Sequence, residues 1–287
     1  MTTNTLKLDH IIAYAADNSL AEAKACFGEY GITPHSPDRT DIGNGVHAAY
    51  FRLGDIVLEF LSVVEATEFA AANGTMPFSE DLRQTRAVFA PGYHHDDLEK
   101  LNADFVAEGQ TGLKSYVSGT ADEPDRWTYI LLEDVLCGTA AFICYLGENG
   151  GNPEYRNSCD ALGLGRVAEM WFVADQPVVE AELWLSTFSS VAECTQLPGN
   201  DRRSLKFEGR TLSWMSPEVY VELTGKEPPS SVDVKFGQLS AFMMSVVDRD
   251  MWHTALAVSN DRVIRGRECE GIHFDGPVDV AVLARIT

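Results

Sequence analysis

The chain has 287 residues and a formal net charge of −21, with 43 acidic and 22 basic side chains. This length is typical of about two domains, and the 45% hydrophobic content is sufficient for folded cores. A negative field of this size repels phosphate backbones and anionic lipids, so we expect no nucleic-acid partner.

The sequence also argues against membranes and export. It contains no run of 18 or more apolar residues, and its first residues lack the basic and apolar regions of a secretory signal. The six cysteines are scattered without a CxxC pair, which favours reduced structural thiols. We expect a cytoplasmic protein that binds a small molecule and no membrane. A homodimer is one assembly that it could form.

The first segment predicts a strand, a helix and a two-stranded hairpin. These elements span residues 8–14, 20–27, 46–53 and 56–61. The strands are rich in β-branched and aromatic residues, and the helix follows a serine that can cap it. Gly54 and Asp55 form the turn of the hairpin, where a glycine suits a two-residue connection.

The same order of elements returns three times. The second round has strands at 86–90, 127–132 and 140–145 and a helix at 96–108; the third has strands at 166–173, 211–214 and 218–223 and a helix at 177–188; the fourth has strands at 239–244 and 278–283 and a helix at 250–257. The spacing is roughly 75 residues, longer than the 20–50 of solenoid repeats.

This spacing predicts an α+β fold of four tandem βαβββ units, which pair into two cup-shaped mixed or antiparallel sheets. A loop rich in glycine and asparagine at 147–153 separates the two pairs. We therefore expect an N-terminal domain at 1–157 and a more diverged C-terminal domain at 158–287.

His10 and Glu59 are the first candidates for chemistry. His10 lies in the middle of a mainly apolar predicted strand, and Glu59 lies in another between Leu58 and Phe60, where an acid is costly unless it reaches water, a partner or a metal. In a βαβββ unit the first and last strands are adjacent, so both side chains could enter one hollow. Imidazole and carboxylate together suit Zn, Mn, Fe or Ni.

Two other interpretations stay open at these residues. His10 could be a satisfied core residue beside Asp9, and Glu59 could pair with Arg52 across the hairpin. His47, which follows a Gly-Asn-Gly loop, could supply a third metal ligand, bind substrate or be an ordinary half-exposed strand residue.

The third unit repeats the acidic pattern. Glu169 falls near the position of His10, although Ala168 matches equally well by spacing, and Glu222 overlays Glu59 without gaps. We therefore count Glu169 and Glu222 as further candidate metal ligands. The adjacent His94 and His95 favour a turn or a helix cap, because neighbouring strand residues point to opposite faces.

Several motifs resemble the glyoxalase-like domain of the vicinal-oxygen-chelate superfamily. They are the Asp-His pair in residues 8–14, the Gly-x-His-x-Ala loop and strand at 45–54, the strand at 56–61, the Asp-Asp-Leu helix start at 96–98 and the strand at 140–145. The resemblance covers residues 7 to 157 and weakens beyond residue 160, where the shape of the units and Glu222 persist.

The resemblance implies paired βαβββ units that form a cup, often around a divalent metal held by their first and last strands. It assigns His10 and Glu59 as ligands, whereas the strands at 86–90 and 140–145 offer no ligand at the matching places. A pairing of the first unit with the third would add Glu169 and Glu222.

Three hypotheses follow for the function. The first is a metal-dependent lyase or isomerase that stabilises an enolate of a small oxygenated metabolite, with Glu59 as ligand or base and His47, Tyr14 and Trp127 near the substrate. The second is a metal-free binding or sequestering protein with a pocket lined by aromatic residues such as Tyr14, Trp171 and Trp214. The third is a structural or assembly role for the second domain, with chemistry only in the first. A ring-cleaving dioxygenase with a non-standard ligand set is a further alternative.

Overall fold

A computed structural model describes most of the chain. The described residues are 7–15, 19–34, 41–43, 45–65, 67–68, 88–109, 114–118, 127–131, 142–146, 162–189, 194–197, 202–207, 209–228, 238–274 and 279–286. The predicted domain boundary at 157 and the loop at 147–153 lie outside these residues.

The architecture is α+β, with two mixed sheets and five α-helices in the described residues. The elements of the first half are β1 (Lys7–Ala15), α1 (Ser19–Gly28), β2 (Asp41–Gly43), β3 (Val46–Leu53), β4 (Ile56–Val63), β5 (Val88–His94), α2 (Leu98–Ala107), β6 (Lys114–Ser118), β7 (Trp127–Leu131) and β8 (Phe142–Leu146).

The second half follows a similar order of strands. Its elements are β9 (Leu164–Val173), α3 (Pro177–Phe188), β10 (Cys194–Leu197), β11 (Arg203–Phe207), β12 (Arg210–Met215), α4 (Pro217–Thr224), β13 (Gln238–Val246), α5 (Arg249–Val258), a short 3-10 helix (Asn260–Arg262), β14 (Val263–Arg265), β15 (Cys269–Phe274) and β16 (Val280–Arg285).

The two sheets have matching strand orders. The first sheet runs β2-β3-β4-β1-β5-β8-β7-β6, and the second runs β10-β11-β12-β9-β13-β16-β15-β14. In each sheet the two central strands are antiparallel, and each of them has a parallel neighbour on its outer side. This topology is consistent with a βαβββ-type fold.

Local sequence explains where the helices begin. The side chain of Asp97 accepts a hydrogen bond from the backbone N–H of Lys100 at 2.9 Å, which caps α2. Asp248 accepts from the N–H of Met251 at 3.0 Å and caps α5 in the same way. Such caps satisfy backbone donors that the first turn of a helix leaves free.

One predicted element is wrong. Residues 218–223 form a helix, α4, and not a strand. Ser216 caps this helix and Pro217 occupies its first turn, where a proline loses no hydrogen bond. The β-branched Val219 and Val221 misled the prediction, because the start signal outweighs their modest preference for strands.

The main core lies between the sheets and four of the helices. It is formed by one face of each sheet together with buried residues of α1, α2, α3 and α5, such as Phe27, Phe105, Trp184 and Trp252. We call this surface of each sheet its helix face and the opposite surface its site face. On the second sheet, α4 packs against the site face in a separate cluster that includes Trp171 and Tyr220.

The two halves share this core. The rings of Phe27 in α1 and Phe274 in β15 lie 5.1 Å apart, and the ring of Tyr93 in β5 lies 5.9 Å from that of Trp184 in α3. Aromatic contacts at these distances favour a fixed arrangement of the packed elements.

Two further predictions concern the surface and the thiols. Within the described residues, no helix reaches the length and apolarity needed to cross a membrane. Cys26 and Cys269 are buried cysteines, and burial raises the pKa of Cys269 to about 11. A thiol of this kind is a structural residue, not a nucleophile.

Candidate functional site

His10 and Glu59 form a direct pair on the site face of the first sheet. The His10 Nε2 atom lies 3.0 Å from the Glu59 Oε2 atom, and each side chain is 13% exposed. Their strands β1 and β4 are parallel neighbours in which Ile12 lies opposite Glu59, so His10, two residues before Ile12, shares its face. The predicted juxtaposition is confirmed.

Asp9 binds the other nitrogen of the imidazole. The His10 Nδ1 atom lies 2.8 Å from the Asp9 Oδ2 atom. Consecutive strand residues normally point to opposite faces, but the pairing of β1 with β5 shifts register between Leu8 and His10. This irregularity brings Asp9 beside the ring, in the way that bulges re-aim side chains.

The two carboxylates control the protonation of His10. Burial by itself would lower the pKa of the imidazole, but hydrogen bonds to Asp9 and Glu59 and the negative charges of both raise it to about 10. The imidazole is therefore a cation at neutral pH when the site holds no metal ion, and it donates one hydrogen bond to each carboxylate.

Gly92 makes room for the imidazole. Gly92 lies opposite His10 in the pairing of β1 with β5, and a Cβ atom added there would lie 3.1 Å from His10 Cε1 and 3.2 Å from His10 Nε2. A glycine inside a strand often marks such a close approach. The sequence signal was Pro91-Gly92 within a strand, and it was missed.

The donor set fits a divalent metal in part. An imidazole whose Nδ1–H donates to a carboxylate, as His10 does to Asp9, presents Nε2 to a metal. Such a carboxylate is the usual hydrogen-bond partner of a histidine ligand. Glu59 would supply the second donor. Among the described residues, no group of three or more His, Cys, Asp or Glu side chains is arranged around one point, whereas catalytic zinc sites use three protein ligands.

The second sheet carries a related pair at the corresponding place. Trp171 lies opposite Ser213 in the pairing of β9 with β12, as Ile12 lies opposite Glu59. Glu169, two residues before Trp171, therefore corresponds to His10. The Ser213 hydroxyl donates a hydrogen bond to Glu169 Oε1 at 2.5 Å.

Glu169 is a buried acid with basic partners. It is 3% exposed, and its carboxylate lies 3.3 Å from Arg202 Nη1 and 3.5 Å from Arg285 Nη2. Its position near that of His10 was predicted, but both arginines were missed. The sequence does not show these contacts, because Arg202 and Arg285 lie on other segments of the chain that only the folded sheet brings next to Glu169.

Glu222 does not correspond to Glu59. It lies on the exposed side of α4, where its side chain is 67% exposed and 3.7 Å from Arg267 Nη1. The alignment of Glu222 with Glu59 was wrong because it assumed a strand, and Ser213 occupies that position. The structure therefore does not bring Glu222 to Glu169 or to His10 as a ligand.

His47 lies away from the pair. Tyr50 lies opposite Glu59 in the pairing of β3 with β4, so His47 alternates onto the other face together with Ala49 and Phe51, which belong to the main core. This placement corrects the expectation that His47 contacts a substrate beside His10. The side chains of Tyr14 and Trp127 lie outside the described part of the structure, which gives only their backbone in β1 and β7.

His94, His95 and Arg52 make hydrogen bonds to residues next to them in the sequence. His95 Nδ1 accepts a hydrogen bond from the backbone N–H of Asp97 at 3.0 Å, and His94 Nε2 lies 3.0 Å from Asp96 Oδ1. The prediction of a turn or cap role at this position is confirmed. The Nε–H of Arg52 donates to the carbonyl of Gly54 at 2.8 Å within the hairpin turn.

Comparison with solved structures identifies the fold. A hypothetical protein from Staphylococcus aureus matches 98% of this chain and 98% of its own, with a TM-score of 0.61 and 12% identity. A triple mutant of 4-hydroxymandelate synthase from Streptomyces coelicolor matches 98% of this chain and 93% of its own, with a TM-score of 0.52 and 10% identity.

A third similar structure is a fusion of a xylose isomerase-like TIM barrel with 4-hydroxyphenylpyruvate dioxygenase, with a TM-score of 0.53 and 12% identity. The match covers 99% of this chain and 50% of the fusion protein, so this chain spans about half of that protein. No protein-family model matches the sequence, and no curated protein does. Similarity at these identities shows the fold, which is of the vicinal-oxygen-chelate type.

Proposed function

We propose that the protein is a metal-dependent enzyme of the vicinal-oxygen-chelate kind, of the lyase or isomerase type, that acts on a small oxygenated metabolite. The observation that carries this proposal is the contact of 3.0 Å between His10 Nε2 and Glu59 Oε2 on neighbouring strands. Two of the similar structures are a synthase and a dioxygenase fusion, which supports an enzyme on this fold.

His10 and Glu59 would hold the divalent ion, and Asp9 would fix the orientation of the imidazole. The ion would supply Lewis-acid stabilisation of a developing enolate or related anion. Since the described residues provide two donors, two neighbouring oxygens of the substrate complete the set. This arrangement favours substrates that carry vicinal oxygens over substrates with a single oxygen.

Glu59 is also placed to move a proton. Its side chain is 13% exposed, so it is accessible from the site face while it stays next to the imidazole of His10. A carboxylate at this position accepts a proton from a substrate carbon or hydroxyl and returns it elsewhere, which is the proton transfer that lyases and isomerases need.

Lyase or isomerase chemistry is favoured over ring cleavage by the residue opposite His10. The resemblance implies that dioxygenases take a further ligand from the second unit. Gly92 occupies the place opposite His10 in β5, and it has no side chain to contribute.

The proposal includes the four-unit organisation of the chain. The matching strand orders of the sheets and the correspondence of His10 with Glu169 support four βαβββ units, two in each of the domains 1–157 and 158–287. A small molecule is the proposed partner, and the net charge of −21 argues against nucleic acid.

A metal-free binding protein is the second candidate. Both nitrogens of His10 already have carboxylate partners, so the pair is electrostatically satisfied without an ion. In this case the pair would be a structural part of a binding surface, or His10 would donate a hydrogen bond to a ligand oxygen.

Elemental analysis of protein purified without a chelator distinguishes the two candidates. The enzyme proposal expects about one divalent ion per chain, lost in both His10→Ala and Glu59→Ala. His94→Ala is the matched control, because His94 and Asp96 form a pair of the same 3.0 Å length on a more exposed surface. Wild-type protein without metal, or equal loss in the control, contradicts the enzyme proposal.

A further inference from the structure

The second sheet has a pocket of its own on its site face. It contains the buried Glu169 and is also lined by Trp171, Arg202, Met243 and Arg285. The cavity is about 20 Å³ in volume, which is room for one water-sized group. Helix α4 covers part of this face, since Tyr220 packs against Trp171 with ring centroids 6.3 Å apart.

Strand pairing relates this pocket to the site of His10. Met243 lies opposite Glu169 in the pairing of β9 with β13, as Gly92 lies opposite His10. Arg285 follows Ala284, the partner of Met244, which gives Arg285 the place in the fourth unit that Glu59 has in the first. On the site face of the second sheet, the positive charge is therefore carried by arginine guanidinium groups, whereas on the first sheet it is carried by protonated His10.

The charges in this pocket are arranged as a triad. Glu169 lies between Arg202 and Arg285, at 3.3 and 3.5 Å from their guanidinium nitrogens. The two arginines outnumber Glu169 in this triad, and Glu268 at the rim brings the net charge of the residues that line the pocket to zero. Each guanidinium has five N–H donors, more than the contact with one carboxylate uses.

Trp171 provides an independent sign of a ligand. Trp171 is 3% exposed, and its indole Nε1 is buried without a hydrogen-bond partner in the described structure. A buried N–H that lacks an acceptor is costly. The guanidinium carbon of Arg202 lies 5.8 Å from the centre of the Trp171 ring, so a cation lies beside this indole.

We propose that this pocket binds the carboxylate group of a small organic acid without a metal ion. One carboxylate oxygen accepts the hydrogen bond from Trp171 Nε1 within the cavity, and Arg202 and Arg285 pair with the negative charge. Glu268 at the exposed rim disfavours ligands with several negative charges. The site is separate from that of His10 and does not depend on the activity proposed there.

Indole N–H resonances of protein labelled with 15N-tryptophan test this proposal, with acetate as the probe and chloride at equal ionic strength as the reference. The sequence has five tryptophans, and Trp171→Phe identifies the resonance of Trp171. Acetate in the range of about 1–50 mM, which covers weak affinities, should shift this resonance downfield and saturate, because the N–H gains an acceptor.

Arg285→Ala should weaken acetate binding by about tenfold or more, the effect of losing a charged hydrogen-bond partner. Arg285→Lys, which keeps the positive charge, should retain part of the acetate affinity that Arg285→Ala loses. Arg267→Ala is the matched control, since Arg267 pairs with an exposed glutamate outside the pocket. The other indole resonances report whether each variant is folded.

Three outcomes overturn the proposal. They are no shift of the Trp171 resonance in the wild-type protein, an equal shift with chloride, and unchanged acetate affinity in folded Arg285→Ala. None of these results bears on His10 and Glu59, so the proposed enzyme function is tested separately.

Discussion

Asp55, in the turn between β3 and β4, is bound to the second half of the chain at Val167. Its Oδ1 atom accepts a hydrogen bond from the backbone N–H of Val167 at 2.7 Å, and its Oδ2 atom lies 2.8 Å from Arg210 Nη2. The backbone N–H of Asp55 also donates to the carbonyl of Gly165 at 3.0 Å. Because Glu59 lies on the same hairpin, these contacts connect the candidate site to the second sheet.

The variant Asp55→Ala should lower the free energy of unfolding by about 2 kcal/mol, since it removes a hydrogen bond to a backbone donor and one to a charged group. Denaturant unfolding measures this difference. Asp104→Ala, which removes an exposed carboxylate paired with Lys100 on α2, is the control and should cost less than about 1 kcal/mol. Equal effects of the two variants would show that the hairpin contact does not stabilise the fold.

The variant Gly92→Ala should impair the His10 site more than the stability of the fold. The new Cβ would lie 3.1 Å from the imidazole, so the ring must move and its contact with Glu59 lengthens. We expect metal affinity to fall by about tenfold or more, which corresponds to about 1.4 kcal/mol. Gly28→Ala is the control, because a Cβ at Gly28 meets no atom within 4 Å. Unchanged affinity in Gly92→Ala would refute this role of Gly92.

His10 should make the stability of the metal-free protein depend on pH. Its pKa is about 10 in the folded protein, against a reference value of 6.5. The stabilisation that His10 gives the folded protein through its raised pKa is therefore complete below pH 6.5, and it is lost as the pH rises through about 10. The difference in unfolding free energy between the wild type and His10→Gln, measured with a chelator, should decrease between these values. A difference that stays constant or grows would contradict the pairing with Asp9 and Glu59.

The two glutamates of the third unit should behave differently. Glu169→Ala should destabilise the protein by about 1 kcal/mol or more, because it leaves the buried Ser213 hydroxyl and the partly exposed Arg202 without their carboxylate partner. Glu222→Ala should change stability by less than about 0.5 kcal/mol, as expected for an exposed position. Thermal unfolding of both variants checks this contrast, and similar shifts in the two would contradict the assigned positions.

Much of the fold could be predicted from local sequence. The hairpin at Gly54 and the first strand follow from short apolar runs and a turn, and the structure confirms them. His10 and Glu59 stood out because ionisable side chains lie there among apolar neighbours, which is unfavourable without a partner.

The remaining features depend on strand pairing, which a single sequence does not show. Gly92 matters because it lies opposite His10, and Arg285 matters because its strand places it near Glu169. The error at Glu222 arose from pattern matching between strands, although Ser216 and Pro217 gave a helix start. The short strands β2, β6, β10 and β14 lie at the sheet edges, where a weaker hydrophobic pattern leaves little signal.

Calorimetric titration of Mn²⁺ or Zn²⁺ into chelator-treated protein, in two buffers of different ionisation enthalpy, measures whether His10 and Glu59 together bind a divalent ion. We expect one ion per chain and release of about one proton at neutral pH, because the ion must displace the proton of His10. Both effects should be lost in His10→Ala and in Glu59→Ala and retained in His94→Ala. Binding that persists in His10→Ala, or that releases no proton, would contradict the claim that His10 and Glu59 together hold the ion.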